Sequence, residues 1–350
     1  MRPIRVLVVD DSAFMRHGIT RMLQEDTDIR VVGEAENGTQ AIAQVRTLRP
    51  DVVTMDVEMP GIGGIESVKR IMAEHPLPIL MFSSQTQAGA ISTIHSLAAG
   101  ATDFLAKESN GDISGAGAIL RAKVHMLAKS QVSRAVLLPT TIAPSARTSS
   151  QSGRVVPSLV LIGASTGGPK VLQEMLVQLP ATIPYPIIVV QHMPAQFTQA
   201  FAQRLDQLSQ PVVKEAAEGD IAVPGHIYIA PGGQQITVQR RGRQYLIHVS
   251  ASRPDELYKP CIDQCFSSLA TTACEFVLAI VLTGMGSDGA VGAKSLFQKG
   301  ADVWTQSPAS CVVAGMPNAV HATGIDAHTL TPAEIVSGLQ QGSKSVGKWA

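Results

Sequence analysis

The chain has 350 residues, 45% of them hydrophobic and 16% charged, which is too long for one ordinary core and too apolar for a disordered protein, so two globular domains are expected. Lys+Arg and Asp+Glu number 28 each, which leaves no basic field to hold nucleic acid or an anionic membrane and argues against a DNA-binding output. Cys261, Cys265, Cys274 and Cys311 lack paired metal-site spacing and read as free thiols; with no signal-peptide core and no membrane-length apolar run, a soluble cytoplasmic protein without membrane insertion is expected.

Along the first third, short β-branched runs alternate with helical patterns. Strands are predicted at Ile4 to Val9, Ile29 to Gly33, Val52 to Met55, Ile79 to Phe82 and Thr102 to Ala106. Helices are predicted at Ala13 to Gln24, Thr39 to Leu48, Ile65 to Ala73, Ile91 to Ala99 and Ile119 to Ala128. Five strands, each followed by a helix, imply a parallel sheet covered on both faces.

Functional groups of such a sheet gather where the strands end at their carboxyl side. Asp10 and Asp11 follow the first strand, Asp56 the third, Ser83 the fourth and Lys107 the fifth. Three carboxylates together repel one another, and a hard dication such as Mg²⁺ relieves the repulsion with oxygen ligands. Asp56 is then the candidate nucleophile for an incoming phosphoryl group, with Ser83 and Lys107 stabilising the new phosphate oxygens. Taken singly, these residues have plainer uses: Asp11-Ser12 can cap the first helix, and a lone Lys is usually solvated.

Val8-Val9-Asp10-Asp11-Ser12, Met55-Asp56-Val57-Glu58-Met59-Pro60-Gly61 and Asp103-Phe104-Leu105-Ala106-Lys107 resemble two-component receiver domains, which are flavodoxin-like. The resemblance implies phosphorylation at Asp56, Mg²⁺ on Asp10, Asp11 and Asp56, and a switch made of Ser83, Phe104 and Lys107. In that switch Ser83 moves toward the phosphate and Phe104 turns inward. One departure is Glu108, where such domains usually have proline.

From Ser130 to Ser158 the chain has no Asp or Glu and is rich in Ser, Thr, Pro and Ala, a composition that buries little and reads as a linker. The expected division is 1–128, a linker at 129–157, and a second domain at 158–345. In the last of these the strand rhythm restarts at Leu159 to Ile162, Ile187 to Val190, Ile227 to Ala230 and Phe276 to Leu282. Two alternating runs flanking Arg241-Gly242-Arg243, from Gln235 to Ser250, predict a β-hairpin added to a mostly parallel, doubly wound α/β sheet.

The run Leu159 to Ile162 leads into Gly163-Ala164-Ser165-Thr166-Gly167-Gly168-Pro169, followed by a helical stretch from Val171 to Leu179. A serine on such a strand-to-helix turn exposes its hydroxyl beside helix N-terminal amides, which suits a nucleophile and its oxyanion. The same turn also suits a phosphate cradle, or a helix capped by Ser165 or Thr166. The glycines do not follow the dinucleotide-binding spacing, and the next strand ends in Gln191-His192 rather than an acid. A nucleophilic serine needs a base and the base an orienting acid. His192 and Asp288 stand at two further strand ends, although each has a plainer use, as a packed histidine and as a cap for a helix from Gly289 to Gln298. Backbone amides near Met285 and Thr166 are candidate oxyanion donors. The other eight histidines read as solvated or packing residues.

The serine turn, Gln191-His192-Met193-Pro194, Phe197-Thr198, Ala230-Pro231-Gly232-Gly233 and Thr283 to Gly289 together resemble the CheB family of chemotaxis methylesterases. The resemblance covers nearly all the chain outside the linker. It implies a phosphorylation-activated protein-glutamate methylesterase that hydrolyses γ-glutamyl methyl esters on methyl-accepting chemotaxis receptors and releases methanol, with glutamine deamidation in some members. It further implies Ser165, His192 and Asp288 as the triad, no cofactor for the hydrolase domain, phosphoryl supply from the histidine kinase CheA, and recruitment to receptor arrays at the inner membrane. The chain departs from that family at Gln235, at Lys259-Pro260-Cys261 and at Thr305-Gln306-Ser307-Pro308, none of which is expected to touch the chemistry. The competing function is a phosphorylation-gated scaffold whose second domain binds without turnover.

Overall fold

The computed structural model describes residues 2–107, 116–130, 156–271, 273–274 and 276–341. Most of the expected linker, Glu108 and the last residues of the expected second domain lie outside them.

The first half runs β1 (Ile4–Val9), α1 (Ala13–Gln24), β2 (Ile29–Ala35), α2 (Gly38–Leu48), β3 (Val52–Asp56), α3 (Gly64–Glu74), β4 (Ile79–Ser84), α4 (Gln87–Ala98), β5 (Asp103–Lys107) and α5 (Ala116–Lys129). Its five strands pair in parallel in the order β2-β1-β3-β4-β5. β3 is buried at every position, as an apolar run covered on both faces requires. The Ser12 hydroxyl accepts from the Met15 amide at 3.4 Å and so caps α1, while the Asn37 and Thr86 side chains cap α2 and α4 in the same way.

The second half runs β6 (Leu159–Ala164), α6 (Gly168–Leu176), β7 (Ile187–Gln191), α7 (Ala195–Leu208), β8 (Val212–Glu215), β9 (Ile221–Ala222), β10 (His226–Ile229), β11 (Gln234–Arg241) and β12 (Gln244–Ala251). It continues with α8 (Ile262–Leu269), β13 (Val277–Val281), α9 (Ala290–Gln298), β14 (Asp302–Gln306), α10 (Gly315–Ala322), β15 (His328–Leu330) and α11 (Pro332–Gln341). Seven parallel strands lie in the order β15-β14-β13-β6-β7-β10-β8. The chain leaves β6 toward β7 and later returns to β13 on the other side, so the strand order reverses at β6. In the first sheet the same reversal falls at β1, between β2 and β3. Such reversals open a crevice at the carboxyl ends of the strands.

The expected hairpin forms, with β11 and β12 antiparallel, but it joins β9 in a separate three-stranded sheet. Its alternation explains the placement: Ile236, Val238, Tyr245 and Ile247 turn one face into the core that holds Phe266 and Leu269 of α8. The two halves also meet. α4 lies against α6 and α7, and the Phe104 ring stacks on Phe197 at 4.6 Å and 18°.

Candidate active site

At the reversal of the second sheet, β6 delivers Ser165, β7 delivers His192, and the loop after β13 delivers Asp288. The backbone fixes these ends to one another. The Ser165 amide donates to the Thr283 carbonyl at 3.0 Å and the His192 amide to the Ala164 carbonyl at 3.1 Å. The buried Gln191 side chain donates to the carbonyls of both Ser165 (3.0 Å) and His192 (3.3 Å). Two glycines are required by crowding. Gly167 has φ +79° and a Cβ there would meet Val312 at 2.6 Å, while a Cβ on Gly284 would lie 2.1 Å from Met316 Sδ and 2.9 Å from Ser165 Cβ. Gly167 precedes α6 without any side-chain cap, so neither Ser165 nor Thr166 serves as a helix cap.

His192 Nε2 lies 2.8 Å from Asp288 Oδ2, and Nδ1 lies 3.2 Å from Ser165 Oγ. An ionised carboxylate only accepts, so Nε2 carries the proton and Nδ1 presents its lone pair to the serine hydroxyl. This is the reverse of the ring orientation in the familiar protease triad. Asp288 does serve as a helix cap, but for α8 rather than α9: Oδ2 accepts from the Ile262 amide (2.7 Å) and Oδ1 from the Asp263 amide (2.9 Å). In return, Asp263 of α8 accepts from the Gly292 amide of α9 at 2.6 Å. Burial opposes the Asp288 charge, but the His192 hydrogen bond and these amides outweigh it and hold the carboxyl below the usual carboxylate range.

The departure at Cys261, expected to stand clear of the chemistry, does touch it. Its Sγ donates to Asp288 Oδ1 at 3.3 Å, and burial, assisted by Asp288, pushes the thiol up to about 12, so its proton stays in place. Gln235 and Gln306 stand one step back. Gln235 accepts from the Cys261 amide at 2.9 Å and donates to the Tyr258 carbonyl at 2.8 Å, and Gln306 accepts from the Thr283 amide at 2.9 Å. Sequence reasoning also missed Tyr258, whose ring stacks on His192 at 4.4 Å and 9°. It lies in an irregular loop with no periodic pattern to mark it.

Ser165, Thr166, His192 and Tyr258 line a cleft of about 410 Å³. Its other wall comes from the first half of the chain, including Phe104, Ile119 and Lys123. Lys123 pairs with Asp103 and reaches the Thr166 hydroxyl at 3.4 Å. Met285 is 40% exposed and is not part of that lining.

At the reversal of the first sheet, one carboxylate oxygen from each of Asp10, Asp11 and Asp56 falls within 4.8 Å of the others. Lys107 Nζ reaches Asp56 at 2.9 Å and Asp10 at 3.1 Å. Burial, with Asp10 adding repulsion, pushes Asp56 up to about 6 despite Lys107. Burial works against the Lys107 charge, yet Asp56 and Asp10 hold its ammonium above the ordinary value. Ser83 is buried and donates to the Gly89 carbonyl at 3.0 Å. The all-oxygen donor set fits a hard divalent cation. Among the other histidines, His125 pairs with Asp26, His248 with Glu218, and His321 bonds Thr305 and Thr329.

Comparison with known proteins returns two family models, one described as CheB methylesterase over residues 160–339 and one as a response regulator receiver domain over residues 6–113. A protein-glutamate methylesterase/protein-glutamine glutaminase of Idiomarina loihiensis is 43% identical, with 94% of this chain and 95% of that protein covered. Its namesake from Pseudoalteromonas atlantica is 45% identical over 92% of this chain and 94% of that one. The crystal structure of the Thermotoga maritima CheB methylesterase catalytic domain matches with TM-score 0.50 and 36% identity, covering 54% of this chain and 98% of that one.

Proposed function

The chain belongs to the CheB methylesterase family and carries a response regulator receiver domain ahead of its methylesterase domain, and from that premise we propose that Ser165 is its nucleophile and Asp56 its phosphoacceptor. It is a protein-glutamate methylesterase, a carboxylic ester hydrolase, rather than a scaffold that binds without turnover. The relatives' second name, protein-glutamine glutaminase, fits the same centre: a primary amide presents the same carbonyl and releases ammonia in place of methanol.

One observation carries the mechanism, the unbroken chain from Ser165 Oγ through His192 to Asp288 at 3.2 and 2.8 Å. His192 Nδ1 takes the serine proton as Oγ attacks the γ-carbonyl of the glutamyl ester. The imidazolium so formed is held by Asp288 and returns the proton to the departing methoxide, leaving an acyl-enzyme and methanol. Water, deprotonated by the same nitrogen, then releases the glutamate carboxylate. The oxyanion is assigned to the amides of Thr166 and Met285, of which Thr166 lies in the cleft wall.

Asp56 accepts the phosphoryl group, supplied by the chemotaxis histidine kinase CheA, and the substrates are methyl-accepting receptors. Asp10, Asp11 and Asp56 would hold Mg²⁺, which when bound neutralises charge on the carboxylates and the incoming phosphoryl group. Lys107 stays with the phosphate, Ser83 leaves the Gly89 carbonyl to reach it, and Phe104 follows. Phe104 stacks on Phe197 and Lys123 sits against Thr166, which supports a receiver that closes the cleft until it is phosphorylated. No helix among the described residues is long and apolar enough to cross a membrane, and a cytoplasmic enzyme recruited to receptor arrays is proposed. The division at 1–128, 129–157 and 158–345 is part of the same proposal.

The test is methanol release from methylated receptor membranes, with and without a small phosphodonor. Release that rises with the phosphodonor is expected. No release under either condition overturns the reading.

A further inference from the structure

Beyond the triad, one aromatic side chain touches the base. Tyr258 stacks face to face on the His192 ring, with centroids 4.4 Å apart and planes within 9°. The loop that presents it is held at several points. Gln235, 1% exposed, donates to the Tyr258 carbonyl at 2.8 Å and to Glu256 at 3.1 Å, and accepts from the Cys261 amide at 2.9 Å. Glu256 in turn accepts from the Arg253 amide at 2.8 Å, and the Lys259 carbonyl accepts from the Gly233 amide at 3.0 Å. The far end of the ring is bounded as well, because a Cβ on Gly286 would lie 2.9 Å from the Tyr258 hydroxyl.

Resting on the reading of His192 as the base, we infer that Tyr258 is a positioning residue for the reaction: its ring fixes the plane of the imidazole and stabilises the imidazolium formed when Ser165 gives up its proton. Two physical reasons support the role. The hydrogen bond donated by Ser165 to Nδ1 and the one Asp288 accepts from Nε2 hold the imidazole at its two nitrogens but leave it free to tip about the line between them, and a parallel ring against one face removes that freedom. The negative face of an aromatic ring also attracts a cation that it does not attract as a neutral group, so the interaction strengthens as charge develops. An interaction realised mainly in the charged state acts on kcat rather than on KM.

The experiment uses the full chain, phosphorylated by a small phosphodonor, with methanol release from methylated receptor membranes as the rate. Tyr258→Phe keeps the ring and is expected to hold kcat within about twofold, while Tyr258→Leu is expected to lower kcat by about tenfold at unchanged KM, the equivalent of about 1.4 kcal/mol at the transition state. In solution, the His192 ring protons of the wild type and of Tyr258→Phe should show the upfield NMR shift of a stacked ring, and Tyr258→Leu should lose it. Wild-type kcat in Tyr258→Leu, or a loss carried by KM, overturns the inference. A tenfold loss in Tyr258→Phe also overturns it, since the hydroxyl would then be the acting group. If Tyr258→Leu does not fold, Tyr258→Phe and the ring-proton shift decide: full activity with the shift supports the role, and a missing shift removes its basis. Failure of the underlying triad reading looks different, because His192→Ala would then remain active.

Discussion

The two sheets place their chemistry at equivalent points, the carboxyl ends of strands where the strand order reverses, yet they leave it in different states of completion. In the receiver, three carboxylates face one ammonium, and burial pushes Asp56 up to about 6. That arrangement is finished only by what binds to it. In the methylesterase domain the carboxylate that meets the base, Asp288, is met by His192, Cys261 and the amides of Ile262, Asp263 and Gly289, and sits below the usual carboxylate range. That arrangement is finished before substrate arrives. A site of the first kind responds to a metal and a phosphoryl group. A site of the second kind lends itself to control through access, in keeping with the proposed closure of the cleft by the receiver.

The largest effects should come from breaking the finished site. Ser165→Ala is expected to lower turnover by roughly 10⁶-fold with the fold intact, and Asp288→Asn by about 10⁴-fold, because the imidazole loses its orienting anion while the amide side chain still fills the space. Both are read as methanol release under saturating phosphodonor. Wild-type release by Ser165→Ala would remove the nucleophile, and a loss no larger than tenfold in Asp288→Asn would leave Asp288 as a helix cap alone.

The residues that stand at the strand ends of both sheets are legible in the sequence, and the reason is local. Acidic residues at successive ends of parallel strands, and a serine between glycines on a strand-to-helix turn, are consequences of short-range pattern that topology then brings together. The parts that escaped depend on contacts distant in sequence. Asp288 caps α8, some 26 residues before it, rather than the helix it precedes. Cys261 reaches Asp288 and Tyr258 reaches His192 from an irregular loop held by Gln235, and nothing periodic marks that loop. The short strands β8, β14 and β15 were also missed, since Val212–Glu215, Asp302–Gln306 and His328–Leu330 mix polar and charged residues into runs of five or fewer. Hairpin alternation from Gln235 to Ser250 is legible in the sequence, but its separation from the parallel sheet follows from packing on α8.

The unfinished site should respond to the loss of its nucleophile or its metal. Asp56→Asn keeps the size of the side chain and removes the anion, so labelling from a small phosphodonor is expected to vanish, and with it any rise in methanol release. EDTA should abolish labelling of the wild type in the same assay. Persistent labelling of Asp56→Asn would move the phosphoacceptor to another residue.

Control by access makes a smaller prediction. Stacked aromatic pairs contribute about 0.5–1.5 kcal/mol beyond area burial, so removing the Phe104 ring should shift the closed-to-open equilibrium by roughly 2- to 12-fold. Unphosphorylated Phe104→Ala is therefore expected to release methanol faster than the unphosphorylated wild type, approaching a fragment that begins near Gly153. A slower variant, or a fragment no more active than the unphosphorylated full chain, would favour a receiver that activates directly.

The smallest effect is the sharpest test of completion. Cys261 donates to Asp288 Oδ1 at 3.3 Å, and the same oxygen also accepts from the Asp263 and Gly289 amides at 2.9 and 3.1 Å. A thiol is a weak donor, and an ordinary hydrogen bond contributes only about 0.5–1.5 kcal/mol net. Removing it from a carboxylate already bonded to four N–H groups should therefore cost an amount near the low end of that range. Cys261→Ala is expected to lower kcat by about threefold, with KM unchanged and Cys261→Ser restoring the rate to within about twofold. Steady-state methanol release under saturating phosphodonor reads both. A loss beyond a hundredfold in Cys261→Ala, rescued by Cys261→Ser, would mean that the amides do not hold Asp288 by themselves. The methylesterase site would then depend on its side-chain neighbours much as the receiver site depends on its ligands, and the contrast between the two would fail.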